Sequence, residues 1–314
     1  MHNTVAFVHQ RTLKRPITCK GIALHSGHKV SMTLKPGAES TGIIFKRTDV
    51  ASDIGEIPAT WDRVVDTRLC TMLGNEHGVT LSTVEHLMAA LAGCGIDNAE
   101  IEVNGPEIPV MDGSAEPFVV LIESAGVVEQ DAPRRVIRVL KTITIQDGDS
   151  TATLRPASHL SLDVAIDFDN KVISQQNLNV GLVNGAFSKE LSRARTFGFL
   201  HEVEQLRKVG LAQGGSLDNA IVVSGDSIMN EDGLRFDDEF VRHKILDAVG
   251  DLYLAGGSLI AAFSGSKVGH ASNNTLLKAL FSDDDAWTYD DLQGEEMSSA
   301  IDGGITAELR VAAE

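Results

Sequence analysis

The sequence predicts an α+β fold built from a duplicated unit, and three observations carry that prediction. A short signature occurs twice: Val84-Glu85-His86 opens one helical run, and Val241-Arg242-His243 opens another. Each copy is followed by the same order of helix, glycine break, apolar strand, small-residue loop and second helix. At 314 residues the chain also exceeds what one small core usually organises, which points to two domains.

Residues 17–24 and 29–34 alternate loosely and are split by the turn-rich Ser26-Gly27-His28, so they read as strands. Residues 42–47 and 66–73 read as two more. A helix follows, with Ser82 as its expected N-cap, Glu85 at capping-box spacing and Gly93 as its stop. Residues 99–103 are strand-like, Pro106 and Pro109 break the pattern, and residues 115–125 suit a second helix. The charged stretch 129–135, with Pro133, reads as a linker between a first domain, residues 1–130, and a second, residues 131–314. In the second, residues 136–145, 150–156 and 160–168 are strand-like, 240–255 helical, 258–263 strand-like and 273–281 helical. The irregular stretch 188–225 has no counterpart in the first half, and such insertions often carry specificity. After Ser282 the chain turns acidic and reads as a solvated, partly disordered tail.

Composition narrows the function. Hydrophobic residues make up 43% and charged residues 23%, the balance of an ordinary globular chain. A formal net charge of −17 argues against a general affinity for nucleic acid or anionic lipid surfaces. A phosphate-bearing ligand would need a local basic pocket. Cys19, Cys70 and Cys94 form no Cys-x-x-Cys pair, and their odd count suits a reducing compartment. No stretch reaches the ~20 apolar residues of a membrane span, and the first residues lack the apolar core of a signal peptide. A cytoplasmic protein is expected.

On a helix turning about 100° per residue, His243, Asp247 and Asp251 share one stripe with Gly250, and Ile245, Leu246, Val249 and Leu252 lie opposite. The apolar side is core, so the polar stripe is expected to face a cleft or solvent. His and Asp at i, i+4 can reach one metal ion; the plain alternative is a helix-surface pair worth roughly a few tenths of a kcal/mol. His86 alone is weaker evidence, and Glu85 has a capping role open to it. The repeat joins them, because facing duplicate helices would bring His86 to the His243–Asp247 stripe. Two imidazoles, one carboxylate and a neighbouring glutamate are the parts of a zinc hydrolase site with an open coordination position. His270, after Gly269 at a strand-to-helix junction, is placed to reach a cleft. Asp251 can hydrogen-bond it and keep it cationic near neutral pH. Thr196 offers a hydroxyl donor for an oxyanion, although a loop threonine is otherwise ordinary.

Seven stretches, in order along nearly the whole chain, make the pattern specific. They are Arg11-Thr-Leu-Lys14, Gly21-Ile-Ala-Leu-His25-Ser-Gly27, Ser82-Thr-Val-Glu-His-Leu87, Glu107-Ile-Pro-Val-Met-Asp-Gly-Ser114, Ser192-Arg-Ala-Arg-Thr-Phe-Gly-Phe199, Asn230-Glu-Asp-Gly-Leu-Arg-Phe236 and Glu239-Phe-Val-Arg-His-Lys-Ile-Leu-Asp247. With them the chain resembles the zinc-dependent UDP-3-O-acyl-N-acetylglucosamine deacetylases of lipid A biosynthesis in Gram-negative bacteria.

That resemblance implies two similar domains, each a small mixed sheet layered against helices, with the active site between the helix layers. It implies one Zn2+ per chain on His86, His243 and Asp247, and Glu85 as general base. It implies His270, oriented by Asp251, as the cation that stabilises the oxyanion or protonates the leaving amine, with Thr196 donating to the oxyanion. Phe168, Lys244 and Lys267 match positions that contact the UDP part of the substrate. The insert from Phe197 matches an apolar passage for the fatty acyl chain, with Leu24 near its mouth. The expected reaction releases acetate from the acylated UDP-sugar, and a monomer is expected. The alternative is a catalytically silent nucleotide-sugar or lipid-binding protein on the same fold; loss of a ligand or of Glu85 would mark it, and none is lost. Arg68 departs from the apolar residue common at its place, and the charged end at Glu314 departs from the apolar tails of some members.

Overall fold

The computed structural model describes residues 7–183 and 185–292. Strand β1 (His9–Leu13) precedes β2 (Ile17–Ile22), β3 (Lys29–Pro36), β4 (Ile43–Arg47) and β5 (Glu56–Pro58). A small sheet of β6 (Val64–Asp66), β7 (Met72–Gly74) and β8 (Thr80–Leu81) leads into α1 (Glu85–Gly93), β9 (Ala99–Val103) and α2 (Glu116–Ala125). Then come β10 (Val127–Pro133), β11 (Arg135–Val139), β12 (Ile143–Asp147), β13 (Ser150–Arg155), β14 (Ser161–Asp167) and β15 (Gln175–Gly181). A second small sheet holds β16 (Phe197–Phe199), β17 (Ile221–Ser224) and β18 (Ser227–Ile228), with α3 (Leu200–Lys208) inserted. The chain closes with α4 (Glu239–Tyr253), β19 (Leu259–Ile260), β20 (Ala262–Ser266), α5 (His270–Phe281) and β21 (Trp287–Asp291).

The duplication is visible in the topology. The two five-stranded sheets run β2-β3-β9-β4-β5 and β12-β13-β20-β14-β15. Each has one parallel pair, β4 with β9 and β14 with β20, among antiparallel neighbours. In β3 the side chains of Val30, Met32 and Leu34 are buried while their neighbours are not, the two-residue period of a half-buried sheet. Met32, Phe45 and Ile101 from one sheet and Leu154, Leu162 and Phe263 from the other belong to one continuous core that includes α1 and α4.

Helices α1 and α4 pack against each other between the sheets. Their approach depends on small residues. Ala89 and Ala90 are fully buried, and a Cβ on Gly250 would lie 2.0 Å from the Glu85 carbonyl oxygen. The backbones therefore come closer than any side chain at position 250 allows.

Several expectations need correcting. Residues 66–73 are not one strand: Asp66 accepts the Arg68 N–H at 3.0 Å, and this local side-chain turn separates β6 from β7. Ser82 does not cap α1. The cap position is Val84, without a side-chain bond, and Ser82 instead bridges to Glu107. Residues 129–135 are not a linker, because β10 pairs with β1 and the buried Arg134 holds Asp97 at 2.7 Å. Residues 136–145 split into β11 and β12, which join different sheets, and residues 258–263 likewise split into β19 and β20. The insert has a counterpart after all, since β6-β7-β8 precede α1 as β16-β17-β18 precede α4. Helix α5 starts at His270, earlier than expected. In the acidic tail, β21 is an ordered strand antiparallel to β11; the tail beyond Leu292, with Glu314, lies outside the described residues.

Candidate metal centre and acyl cavity

His86 stands in the first turn of α1, and His243 and Asp247 stand one turn apart on α4. Where the helices cross, one ligand atom from each lies within 4.8 Å of the others, and all three residues are buried. Among the described residues no other trio of this kind occurs. Asp247 Oδ1 is 3.2 Å from His243 Nε2 and 3.6 Å from His86 Nε2. It is buried and has no hydrogen-bond partner among the described residues.

A buried carboxylate oxygen left without a donor is costly, and a cation bound here would remove that cost. His243 Nδ1 is 3.0 Å from the Ala194 carbonyl. A carbonyl only accepts, so the proton sits on Nδ1 and Nε2 keeps its lone pair for a metal. Burial pushes the His243 imidazole down to about 4, which keeps it neutral. Burial opposes charge on Asp247, yet His243, once protonated at low pH, and the Lys244 ammonium hold the carboxyl well below its ordinary value. The residues present therefore fit a divalent ion of the zinc type, with two nitrogen donors and one oxygen donor.

The polar stripe of α4 faces α1, not solvent. Its second carboxylate, Asp251, accepts from His270 Nδ1 at 2.8 Å, Asn273 Nδ2 at 2.9 Å and Thr71 Oγ1 at 2.5 Å. The other nitrogen of His270, Nε2, lies 3.8 Å from Glu85 Oε1. Burial pulls His270 toward its neutral form, but Asp251, with Glu85 and Asp247, overcomes this and raises it to about 9. Burial raises the Glu85 carboxyl, against the lowering influence of His270 and His86. A carboxylate pushed up and an imidazole pushed up stand face to face beside the candidate metal ligands. Such a pair suits proton transfer.

Thr196 is fixed by its backbone, donating to Gly113 at 2.8 Å and accepting from Ile221 at 2.8 Å. With Leu24, Phe197, Val203, Leu206 and Val222 it lines a cavity of about 440 Å³. The Phe197 ring also lies 6.3 Å from the His243 ring, so this cavity adjoins the candidate metal centre. Phe168 packs edge-on against Phe197 at 5.8 Å. Lys244 is paired with Asp247 at 2.9 Å, and Lys267, at φ 53°, with Asp167 at 3.2 Å. The expected residues thus fall into a metal and proton-transfer cluster, a cavity group and two lysines bound to carboxylates.

Residues 10–282 match the family model described as LpxC: UDP-3-O-acyl N-acetylglycosamine deacetylase. The chain belongs to this deacetylase family. It is 50% identical over 282 residues to the UDP-3-O-acyl-N-acetylglucosamine deacetylase of Shewanella halifaxensis, covering 89% of this chain and 92% of the relative. The enzyme of that name from Pseudomonas entomophila is 52% identical over the same shares. That from Idiomarina loihiensis is 49% identical, over 94% of this chain and 96% of its own.

In this member of the deacetylase family two site residues escaped the sequence reasoning. Thr71 and Asn273 both donate to Asp251, and the Thr71 N–H also donates to Glu85 Oε2 at 3.0 Å. Thr71 lies 180 positions from Asp251, beyond the reach of any local spacing rule. Arg68 is exposed and clamps Asp66, lining a second cavity of about 390 Å³ that shares His25 and Leu69 with the first.

Proposed function

We propose that this protein hydrolyses the N-acetyl amide of UDP-3-O-(3-hydroxyacyl)-N-acetylglucosamine, releasing acetate and the free amine, a committed step of lipid A biosynthesis. His86, His243 and Asp247 would hold one Zn2+ per chain. When bound, the ion supplies a Lewis acid that lowers the pKa of a coordinated water from about 15.7 to about 7 and polarises the amide carbonyl. Glu85 accepts the proton of the attacking water. His270, kept cationic by Asp251, donates a hydrogen bond from Nε2 to the developing oxyanion and releases that one proton to the departing amine when the oxyanion collapses. Thr196 donates to the same oxyanion. Leu24 and Phe197 flank the acyl chain in the 440 Å³ cavity. Phe168, Lys244 and Lys267 receive the UDP part, and the lysines exchange Asp247 and Asp167 for phosphate. The three free cysteines support a reducing, cytoplasmic setting.

The observation that carries this proposal is the donorless Asp247 Oδ1 among two imidazole nitrogens, with Glu85 and His270 facing each other next to it. The test is acetate release from the acylated UDP-sugar, with and without a chelator. Chelation should abolish release and added zinc should restore it. Glu85→Ala should retain stoichiometric metal yet lose about 10²–10⁴-fold in turnover. Full activity of that variant would remove Glu85 as base, and wild-type protein without tight metal would remove the enzyme.

A further inference from the structure

We infer that Thr71 is a positioning residue for the proposed reaction, bridging the two carboxylates that govern proton transfer. The inference rests on the amidase function proposed above, but the contacts that motivate it do not. Thr71 uses each of its polar groups on the site. Its N–H donates to Glu85 Oε2 at 3.0 Å. Its hydroxyl donates to Asp251 Oδ1 at 2.5 Å. Its carbonyl accepts the N–H of Val84, the cap of α1, at 3.3 Å. Thr71 is 2% exposed, so none of these bonds competes with bulk water.

The geometry gives the hydroxyl a task that packing alone does not explain. Each carboxylate has one oxygen on Thr71. The other oxygen of each faces His270: Asp251 Oδ2 at 2.8 Å from Nδ1, Glu85 Oε1 at 3.8 Å from Nε2. Thr71 and His270 therefore close a ring with the two acids between them. Fixing one oxygen of each acid fixes its rotation, and so fixes which oxygen meets the imidazole. Glu85 comes from α1 and Asp251 from α4, on different halves of the chain. Thr71 ties them from a third element, the turn ahead of β7. Loss of the hydroxyl would release Asp251 Oδ1 and leave the carboxylate held through Oδ2 alone, by Asn273 and by His270 itself, so that it could rotate. His270 would then lose its orientation toward Glu85, while cavity and lysine contacts stay in place. The expected loss falls on turnover, not on substrate binding.

The test compares Thr71→Val and Thr71→Ser in the full-length, metal-loaded protein, with Asp251→Asn as partner. Thr71→Val keeps the shape and the backbone N–H and removes only the hydroxyl. It should lower kcat about ten- to a hundredfold with KM within about twofold, at unchanged metal content. Thr71→Ser should return kcat to within about threefold of wild type. In the Asp251→Asn background Thr71→Val should add little further loss, because its partner is already disabled. If Thr71→Val fails to fold, Thr71→Ala supplies the same comparison. Unchanged kcat in the hydroxyl-free variant overturns the inference, as does a Ser variant as slow as Val, or losses that multiply in the double variant. Absence of acetate release by wild type would instead count against the amidase proposal itself.

Discussion

Helices α1 and α4 hold equivalent places in the two halves, and each carries near its start a valine with a histidine two positions later, yet they work differently. In α1 only the first turn is chemical: Glu85 and His86, followed by Leu87, Met88, Ala89, Ala90 and Leu91, all buried. In α4 chemistry runs along the length, through His243, Asp247 and Asp251. The residue before each histidine shows the divergence best. Glu85 points into the site, 3.8 Å from His270. Its counterpart Arg242 turns away and pairs with Asp238 and Glu190. The two helices thus bring both histidines to one cluster at their crossing. Their neighbours diverge: Glu85 faces His270, and Arg242 is taken up by ion pairs.

The strongest way to break this comparison is to remove one histidine from each copy. His86→Ala and His243→Ala should each abolish tight metal binding and lower turnover by at least about 10²-fold, read by metal analysis and acetate release. Retention of stoichiometric metal by either variant would show that the two copies do not share an ion. Next in size is Asp251→Asn. His270 is raised to about 9, so its favourable charge is present below its ordinary value of 6.5 and lost as pH rises through about 9. Activity that needs the cation should therefore fall on the alkaline side near that pH. Asp251→Asn should move this limb toward neutrality, and an unmoved limb would dissociate His270 from it.

Gly250→Ala tests the crossing itself. The new methyl would meet the Glu85 carbonyl, so the helices must part, at a cost of about 1–3 kcal/mol. The melting temperature should drop by several degrees and metal should bind more weakly. Normal stability with normal metal affinity would mean the contact is not tight. The smallest effect is expected at Lys171, whose pairing with Asp226 is 83% and 60% exposed. Lys171→Ala should shift the melting temperature by less than about 2 °C.

What was legible in the sequence was whatever is local or repeated. The alternation in β3, the glycine end of α1 and the i, i+4 pair on α4 need only a few neighbouring residues. The repeated valine–histidine signature predicted that two helices would carry matching ligands. The fold class followed from element order, and the family resemblance covered the cavity residues. Boundaries were misjudged where long-range pairing decides them. The charged, proline-containing run 129–135 looks like a linker, but β1 supplies its hydrogen-bond partner from the other end of the half. The acidic run before Leu292 looks solvated, but β11 offers it an edge. Ser82 and Glu85 fit a capping box, yet the Thr71 N–H reached the carboxylate instead.

By itself the sequence determined the side-chain types, the helical stripe and the presence of two related units, because these depend on chemistry within a few turns of chain. Only the tertiary structure decided that the stripe faces α1, that Asp247 Oδ1 lacks a donor, and that Thr71 joins Glu85 to Asp251. Those facts depend on how closely two helices approach. That distance is set by the side chain Gly250 lacks and by the packing of both sheets around the pair.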